Sequence, residues 1–214
     1  MFDNTEIAQQ VAEFLLQIKA IKLQPNNPFT WASGWKSPIY CDNRITLSHH
    51  NIRTYIRQQL VKLIQEEFGS VGVIAGVATA GIPQGALVAQ ELGLPFIYVR
   101  SKPKEHGTGS LIEGDASLSG KRVVVIEDLI STGKSSLQAV DALRDAGYDV
   151  AGLAAIFSYG FDVATENFKN ANCPFFTLSN YSALIKYAVD NQYITEADVE
   201  LLKQWREDPS NWGK

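Results

Sequence analysis

The sequence has few of the residues on which disulfide-stabilised and metal-stabilised proteins depend. It contains two cysteines, Cys41 and Cys173, and three histidines in 214 residues. The cysteines lack the close spacing of a zinc site, so we expect buried free thiols in a reducing cytoplasm. A chain of this length can bury roughly 70% of its unfolded surface, so it needs neither a disulfide nor a structural metal to fold.

Long apolar runs and an excess of positive charge are also missing. No apolar stretch approaches the ~20 residues needed to cross a bilayer, and the opening MFDNTEIAQQ lacks the features of a signal peptide. The net charge of −4 argues against a general nucleic-acid-binding protein, because contacts to phosphates dominate that affinity. We therefore expect a cytoplasmic protein with neither a membrane nor a nucleic-acid partner.

Short apolar runs alternate with helical patterns along the chain. The apolar runs predict five strands, at residues 71–78, 95–100, 122–128, 150–159 and 175–179. Amphipathic patterns predict helices at 5–19, 49–68, 82–92, 134–146, 181–190 and 195–206, the last with a Thr195–Asp198 capping box. Unalternating apolar strands separated by helices indicate an α/β domain with a mainly parallel sheet covered on both faces.

Two segments interrupt this alternation. Residues 23–44 are rich in Pro, Asn, Ser and Gly, which predicts a loop leading into short strands. Residues 101–121 join two predicted strands without a helical pattern. Such long insertions in compact domains are typically lids, binding loops or disordered segments.

The stretch VVVIEDLISTGKSS, residues 123–136, places two acids directly before a turn suited to phosphate. A turn that opens a helix directs several backbone N–H groups at one point, and the helix N-terminus adds roughly half a positive charge. Here the turn consists of Ser131, Thr132, Gly133, Lys134 and Ser135. A nucleotide-binding P-loop does not fit, because Asp128 stands where that motif needs its first glycine.

Glu127 and Asp128 have a use if the ligand is a sugar phosphate. Ionised carboxylates are strong hydrogen-bond acceptors, so these two can hold ribose hydroxyls while the following turn holds the phosphate. The alternative is an acidic segment before a helix with nothing bound. The stretch resembles the phosphoribosyl-pyrophosphate (PRPP) motif of the type I phosphoribosyltransferases, in which two acids contact the ribose and the turn binds its 5′-phosphate.

This resemblance implies the family's fold, a mainly parallel central sheet flanked by helices, and a PRPP site at the carboxyl end of the third predicted strand. The PRPP-binding residues implied in this stretch are Glu127, Asp128, Leu129, Ile130, Ser131, Thr132, Gly133, Lys134 and Ser135.

Three further stretches resemble one branch of that family, the orotate phosphoribosyltransferases. FTWASGWKSPIYCDNR at 29–44 is similar to the N-terminal signature, GVATAGIPQGALVA at 76–89 to the pyrophosphate-binding turn, and RSKPKEHGTGSLIEG at 100–114 to the catalytic loop. The resemblance implies transfer of the phosphoribosyl group of PRPP to orotate, releasing pyrophosphate, in pyrimidine biosynthesis. It also implies a homodimer with active sites shared across the interface.

The resemblance further divides the single domain, residues 1–214, into three parts. These are an N-terminal hood over the base at about 1–47, a core at about 48–180 and C-terminal helices at about 181–214.

The stretch after the second predicted strand carries a cluster of positive charge. Arg100, Lys102, Lys104 and His106 lie within seven residues. A solvated basic loop is the usual fate of such a cluster, but its place in a glycine-rich insertion favours a lid that closes over the ligand. We predict that Arg100, Lys104 and His106 join the PRPP site and that the catalytic residues are Lys104, His106 and Asp128.

The orotate site is less complete than the resemblance implies. Members of the family carry cations at three positions where this sequence has Ala32, Ala80 and Tyr159. Our hypothesis is that Lys36 or Arg44 binds the orotate carboxylate instead.

Two other residues are predicted to bind orotate. The resemblance places Ser131 against the base, and Tyr40 is a stacking candidate whose equal alternative is a structural role. We expect Mg²⁺ to arrive with PRPP and assign it no protein ligands, because Mg²⁺ commonly binds through substrate phosphates. Two rival functions stay open: transfer to another base, such as a purine, and PRPP sensing without catalysis.

Overall fold

The structure is a computed structural model that describes residues 4–31, 34–102 and 110–213. The strands in these residues are β1 (Ile21–Leu23), β2 (Phe29–Thr30), β3 (Lys36–Ser37), β4 (Ile39–Cys41), β5 (Val73–Val77), β6 (Phe96–Val99), β7 (Ile112–Glu113), β8 (Arg122–Ile130), β9 (Asp149–Ser158) and β10 (Phe175–Asn180). The α-helices are α1 (Thr5–Gln17), α2 (His50–Glu67), α3 (Gly81–Leu92), α4 (Lys134–Asp145), α5 (Asp162–Asn170), α6 (Tyr181–Asp190) and α7 (Glu196–Glu207).

The central sheet has the strand order β10–β9–β8–β5–β6–β7. Its first five strands pair in parallel, and β7 alone pairs antiparallel, at the edge beside β6. All five predicted parallel strands are therefore present, and the α/β fold with a mainly parallel sheet is confirmed.

Helices cover both faces of this sheet. On β8, Val124 and Ile126 pack against the side formed by α1, α2, α3 and α6, whereas Val123 and Val125 pack against α4 and α5. Both faces are buried, which is why the strand is a continuous apolar run and does not alternate with polar residues.

The N-terminal segment before α2 forms two small antiparallel pairs, β1 with β4 and β2 with β3. A 3-10 helix at Asn43–Ser48 follows and packs against β8. Ring contacts join this segment to the C-terminal helices, since Trp31 lies edge-on to Trp205 of α7, with ring centroids 5.8 Å apart. The predicted capping box of α7 is present, between Thr195 and Asp198.

Three features differ from the sequence-based expectation. Helix α5 was not predicted, because it buries only two apolar side chains, Ala164 and Phe168, and its amphipathic pattern is short. The 101–121 insertion contributes strand β7, which pairs with β6. Strand β8 continues to Ile130, two residues beyond its predicted end at 128.

Candidate active site

The predicted ligand-binding segments meet at one edge of the sheet. Strands β5 and β8 are neighbours, and the chain proceeds from β5 to β6 on one side and from β8 to β9 on the other. Such a change of direction opens a crevice at the carboxyl ends of the strands, where open α/β sheets bind their ligands. The turn at 78–80 follows β5 and the turn at 131–133 follows β8, so both border this crevice.

The two acids of β8 differ in their surroundings. The Glu127 side chain is 6% exposed, and its carboxylate accepts hydrogen bonds from Ser136 Oγ of α4 at 3.3 Å and from the Asp128 N–H at 3.0 Å. Burial, and then the charge of Asp128, raise the pKa of Glu127 well above its ordinary value. Glu127 is therefore tied into the wall of the crevice.

Asp128 is half-buried, so its carboxylate is the more accessible of the pair. Burial is the main cause that raises the pKa of Asp128 above its usual range. Its backbone carbonyl accepts a hydrogen bond of 2.7 Å from Asn43 Nδ2 of the 3-10 helix. Of the two acids, Asp128 is the less buried.

The phosphate turn is shaped by its glycine and by α5. Gly133 has φ +77°, a left-handed conformation that disfavours other residues, and a Cβ there would lie 2.6 Å from Phe168 Cε2. The Thr132 carbonyl accepts a hydrogen bond from Asn167 Nδ2 of α5 at 3.0 Å. Gly133 supplies no capping side chain to α4, so the N–H groups of the first turn are available to an anion.

Gly81, the first residue of α3 after this turn, allows α3 to pack closely against the sheet. A Cβ on Gly81 would lie 2.4 Å from the Ile126 carbonyl oxygen, so α3 rests directly on the backbone of β8. The Ala78 N–H donates to the Val99 carbonyl at 2.8 Å, which joins this turn to the end of β6.

Arg100 follows β6 and lies beside these turns. Its guanidinium is 3.5 Å from a Glu113 carboxylate oxygen. Ala78, Arg100 and Ser135 line one cavity of about 360 Å³, whose lining also includes the carboxylate-bearing residues Asp141 and Asp145. The structure thus brings Arg100 next to both predicted phosphate-binding turns. Lys104, His106 and Ala32 lie outside the described residues.

The predicted base-binding residues of the hood lie on its short strands. Tyr40 is 38% exposed, with its ring tilted against Phe29 at 5.7 Å between centroids and the Lys22 ammonium 6.0 Å from its centroid. Lys36 Nζ donates to Thr30 Oγ1 at 2.9 Å. Arg44 is exposed and forms a two-fold ion pair with Asp42, at 2.7 and 2.9 Å.

A buried aromatic residue stands where the family carries a cation after β9. Tyr159 is 2% exposed, and its ring packs against Trp31, Phe161 and Trp205 at centroid distances of 5.4–5.7 Å. Burial, and then the neighbouring Cys41 and Asp128, raise the pKa of the Tyr159 hydroxyl well above its ordinary value. Tyr159 is therefore neutral and contributes packing to this end of the crevice.

Three side chains that support the site were not singled out from the sequence. Asn43, Ser136 and Asn167 each hold a part of the acid pair or the phosphate turn. Asn43 and Asn167 reach their partners across 85 and 35 residues, and no local pattern marks such contacts. Ser136 lies within the quoted motif, directly after the phosphate turn.

Two features are absent from the part of the chain that the structure describes. No helix in that part of the chain is long and apolar enough to cross a membrane. Within the same residues, no group of three or more His, Cys, Asp or Glu side chains could hold a metal ion.

Comparison with known proteins identifies first the domain family of this chain and then the branch of that family. The family model described as "Phosphoribosyl transferase domain" matches residues 46–192, which include both turns and the acid pair. An orotate phosphoribosyltransferase of Bacteroides thetaiotaomicron is 59% identical over 201 residues, covering 94% of each chain. The chain belongs to the orotate phosphoribosyltransferase family.

Solved structures have the same fold. The orotate phosphoribosyltransferase of Aeropyrum pernix aligns with a TM-score of 0.71 at 26% identity, covering 86% of this chain and 99% of that one. The UMP synthase of Leishmania donovani aligns with a TM-score of 0.76 at 27% identity; the alignment covers 92% of this chain but 42% of that longer one.

Proposed function

We propose that this protein transfers the phosphoribosyl group of PRPP to orotate, giving orotidine 5′-monophosphate and pyrophosphate in pyrimidine biosynthesis. One observation carries the proposal. The less buried of the two acids, Asp128, is followed by a glycine turn at the N-terminus of α4, and a ribose 5-phosphate needs both. The named relatives support orotate as the acceptor base.

The chemistry assigns roles to the two sides of the crevice. The bond between the anomeric carbon and pyrophosphate breaks while the base nitrogen forms a bond from the opposite face. Asp128 holds ribose hydroxyls and its negative charge favours the positive charge that develops on the ribose. Preorganised positive groups near the leaving pyrophosphate supply the main stabilisation of the transition state, and Arg100, Lys104 and His106 are the residues proposed for this role.

Mg²⁺ is the proposed cofactor. Carboxylate oxygens are ligands that suit this ion; since Glu127 is already bonded to Ser136, Asp128 is the protein group that would assist an ion brought by PRPP. Bound there, the ion would offset the charge of the pyrophosphate. We also propose a cytoplasmic homodimer, since a two-fold pair is the commonest oligomer and the family shares its sites between subunits.

The proposed reaction is tested with a panel of bases. The protein is incubated with PRPP, Mg²⁺ and orotate, uracil, adenine, guanine or hypoxanthine, and pyrophosphate release is measured. Of these bases, we expect only orotate to cause pyrophosphate release. We expect no release with orotate when Mg²⁺ is removed by a chelator. Release with a purine would reassign the base, and PRPP binding without release for any base would indicate a sensor.

The hood cations provide a separate test of orotate binding. Lys36→Ala and Arg44→Ala each remove one positive charge, and we expect one of them to raise the orotate KM about tenfold, the effect of losing one charged hydrogen bond, with the PRPP KM unchanged. Lys36 is the stronger candidate, because Arg44 is paired with Asp42. Lys62→Ala, which removes an exposed positive charge on α2, is the control. If neither variant changes the orotate KM, the hood cations do not bind the carboxylate.

A further inference from the structure

A buried chain of polar side chains connects the ribose-binding strand with the helix that follows the pyrophosphate turn. Asn43 Nδ2 donates to the Asp128 carbonyl at 2.7 Å. Thr46 Oγ1 donates to the Asn43 carbonyl at 2.6 Å, and Gln84 Nε2 of α3 donates to Thr46 Oγ1 at 3.2 Å. Asn43, Thr46 and Gln84 are each at most 1% exposed.

Asn43 lies beside β8 at the point where the pairing of β8 with β5 has ended. The pairing of β8 with β5 ends at Ile126 and Gly76, two residues before Asp128. On that side, β8 meets the 3-10 helix at Asn43–Ser48 instead of a strand. A buried backbone carbonyl without a donor is costly, and the Asn43 amide supplies the donor that no strand provides.

The amide orientation of Asn43 follows from its two neighbours. Cys41 Sγ lies 3.3 Å from Asn43 Oδ1 and donates to it, so Nδ2 is free to donate to Asp128. The backbone of Asp128 is thereby held from the hood side, while its carboxylate stays accessible in the crevice. An aspartate at position 43 would keep the shape of the side chain but place an oxygen against the Asp128 carbonyl.

We infer that Asn43 is a positioning residue for PRPP: it fixes the backbone of Asp128 and, through Thr46 and Gln84, links the ribose-binding acid to the helix behind the pyrophosphate turn. This inference rests on the proposed function. Asn43 touches no substrate in this scheme, and its effect is exerted through the direction of the Asp128 carboxylate. It therefore predicts a change in PRPP affinity with little change in orotate affinity.

The test replaces Asn43 by aspartate and measures PRPP binding by calorimetry beside steady-state kinetics. We expect Asn43→Asp to weaken PRPP binding and to lower kcat/KM for PRPP about 10- to 100-fold, as expected for one lost buried hydrogen bond, with the orotate KM within about twofold. Lowering the pH should partly restore PRPP binding in this variant, because a protonated carboxyl group can donate again.

Ser179→Ala is the matched control. Ser179 is 0% exposed, and its Oγ donates to the Ala8 carbonyl of α1 at 2.7 Å, outside the chain that joins Asn43 to Gln84. Its loss should lower the melting temperature without changing PRPP binding. If Asn43→Asp fails to fold, Thr46→Val removes the next link and should weaken PRPP binding about threefold to tenfold, in the range of one net hydrogen bond.

The possible results distinguish a failure of the proposed function from a failure of the positioning role of Asn43. A wild-type protein that consumes no orotate contradicts the proposed function. The positioning role alone is contradicted if the wild type is active and Asn43→Asp binds PRPP as tightly as Ser179→Ala. If Asn43→Asp does not fold, the same comparison is made with Thr46→Val.

Discussion

Replacing Asp128 by asparagine is expected to lower kcat/KM for PRPP by on the order of 10²-fold, because the variant loses charged hydrogen bonds to the ribose. It also loses the negative charge that favours a developing positive charge on the sugar. The shape of the side chain is retained, so the effect should appear in kcat/KM, measured by pyrophosphate release at varied PRPP concentration, and not in folding.

The stability of this variant follows from the pKa of Asp128. Burial raises that pKa in the folded state, so the folded protein binds more protons than the unfolded chain between the two pKa values. Stability from this group is therefore present below the unfolded value of ~3.9 and is lost as the pH rises through the folded pKa. Removing the charge should leave the melting temperature at neutral pH unchanged or higher, which separates lost activity from unfolding.

An acid at the opposite end of the sheet provides the control for Asp128. Asp149 is exposed at the start of β9, so Asp149→Asn changes the net charge equally and should leave kcat/KM as in the wild type. A value for Asp128→Asn within threefold of the wild type would contradict the assignment of Asp128 to the ribose.

The parallel sheet and the phosphate turn could be predicted because their signals are local. Val123–Ile126 is apolar at every position, which is the pattern of a strand covered on both faces, and the turn at 131–135 follows directly in the sequence. The acid pair was also recognisable, but its asymmetry was not. That Glu127 is tied to Ser136 while Asp128 stays accessible depends on how α4 packs against β8.

The features that escaped prediction depend on contacts between distant segments. Helix α5 has few apolar residues, yet its Asn167 and Phe168 fix the phosphate turn from 35 residues away. Tyr159 was expected to mark a missing cation, and its burial among aromatic rings from the hood and α7 could not be read from its own neighbours in the sequence. Long-range packing, and not local propensity, decides these positions.

The aromatic cluster around Trp205 gives the largest expected effect on stability. Trp205 is 0% exposed, and its ring contacts Trp31 of the hood, Tyr159 and Phe161 after β9, and Tyr181 of α6. Trp205→Ala should lower the free energy of unfolding by about 3–5 kcal/mol, the usual cost of removing a buried tryptophan side chain. Urea unfolding followed by circular dichroism measures this loss.

A conservative variant separates packing from hydrogen bonding in this cluster. The indole N–H of Trp205 is buried and has no acceptor among the described residues, so Trp205→Phe removes a polar group that contributes no hydrogen bond there. This variant should therefore lose less stability than the alanine variant by at least about 1 kcal/mol, the scale of the ring atoms that phenylalanine retains.

An exposed aromatic residue of the same region completes the test of Trp205. Tyr193 is 47% exposed, so Tyr193→Ala should cost less than about 1 kcal/mol, as surface substitutions do.

Because Trp31 belongs to the hood, the loss of Trp205 should also raise the orotate KM more than the PRPP KM. If Trp205→Ala were no less stable than Tyr193→Ala, the aromatic cluster would not be what holds α7 against the hood, and it would have to be assigned another role.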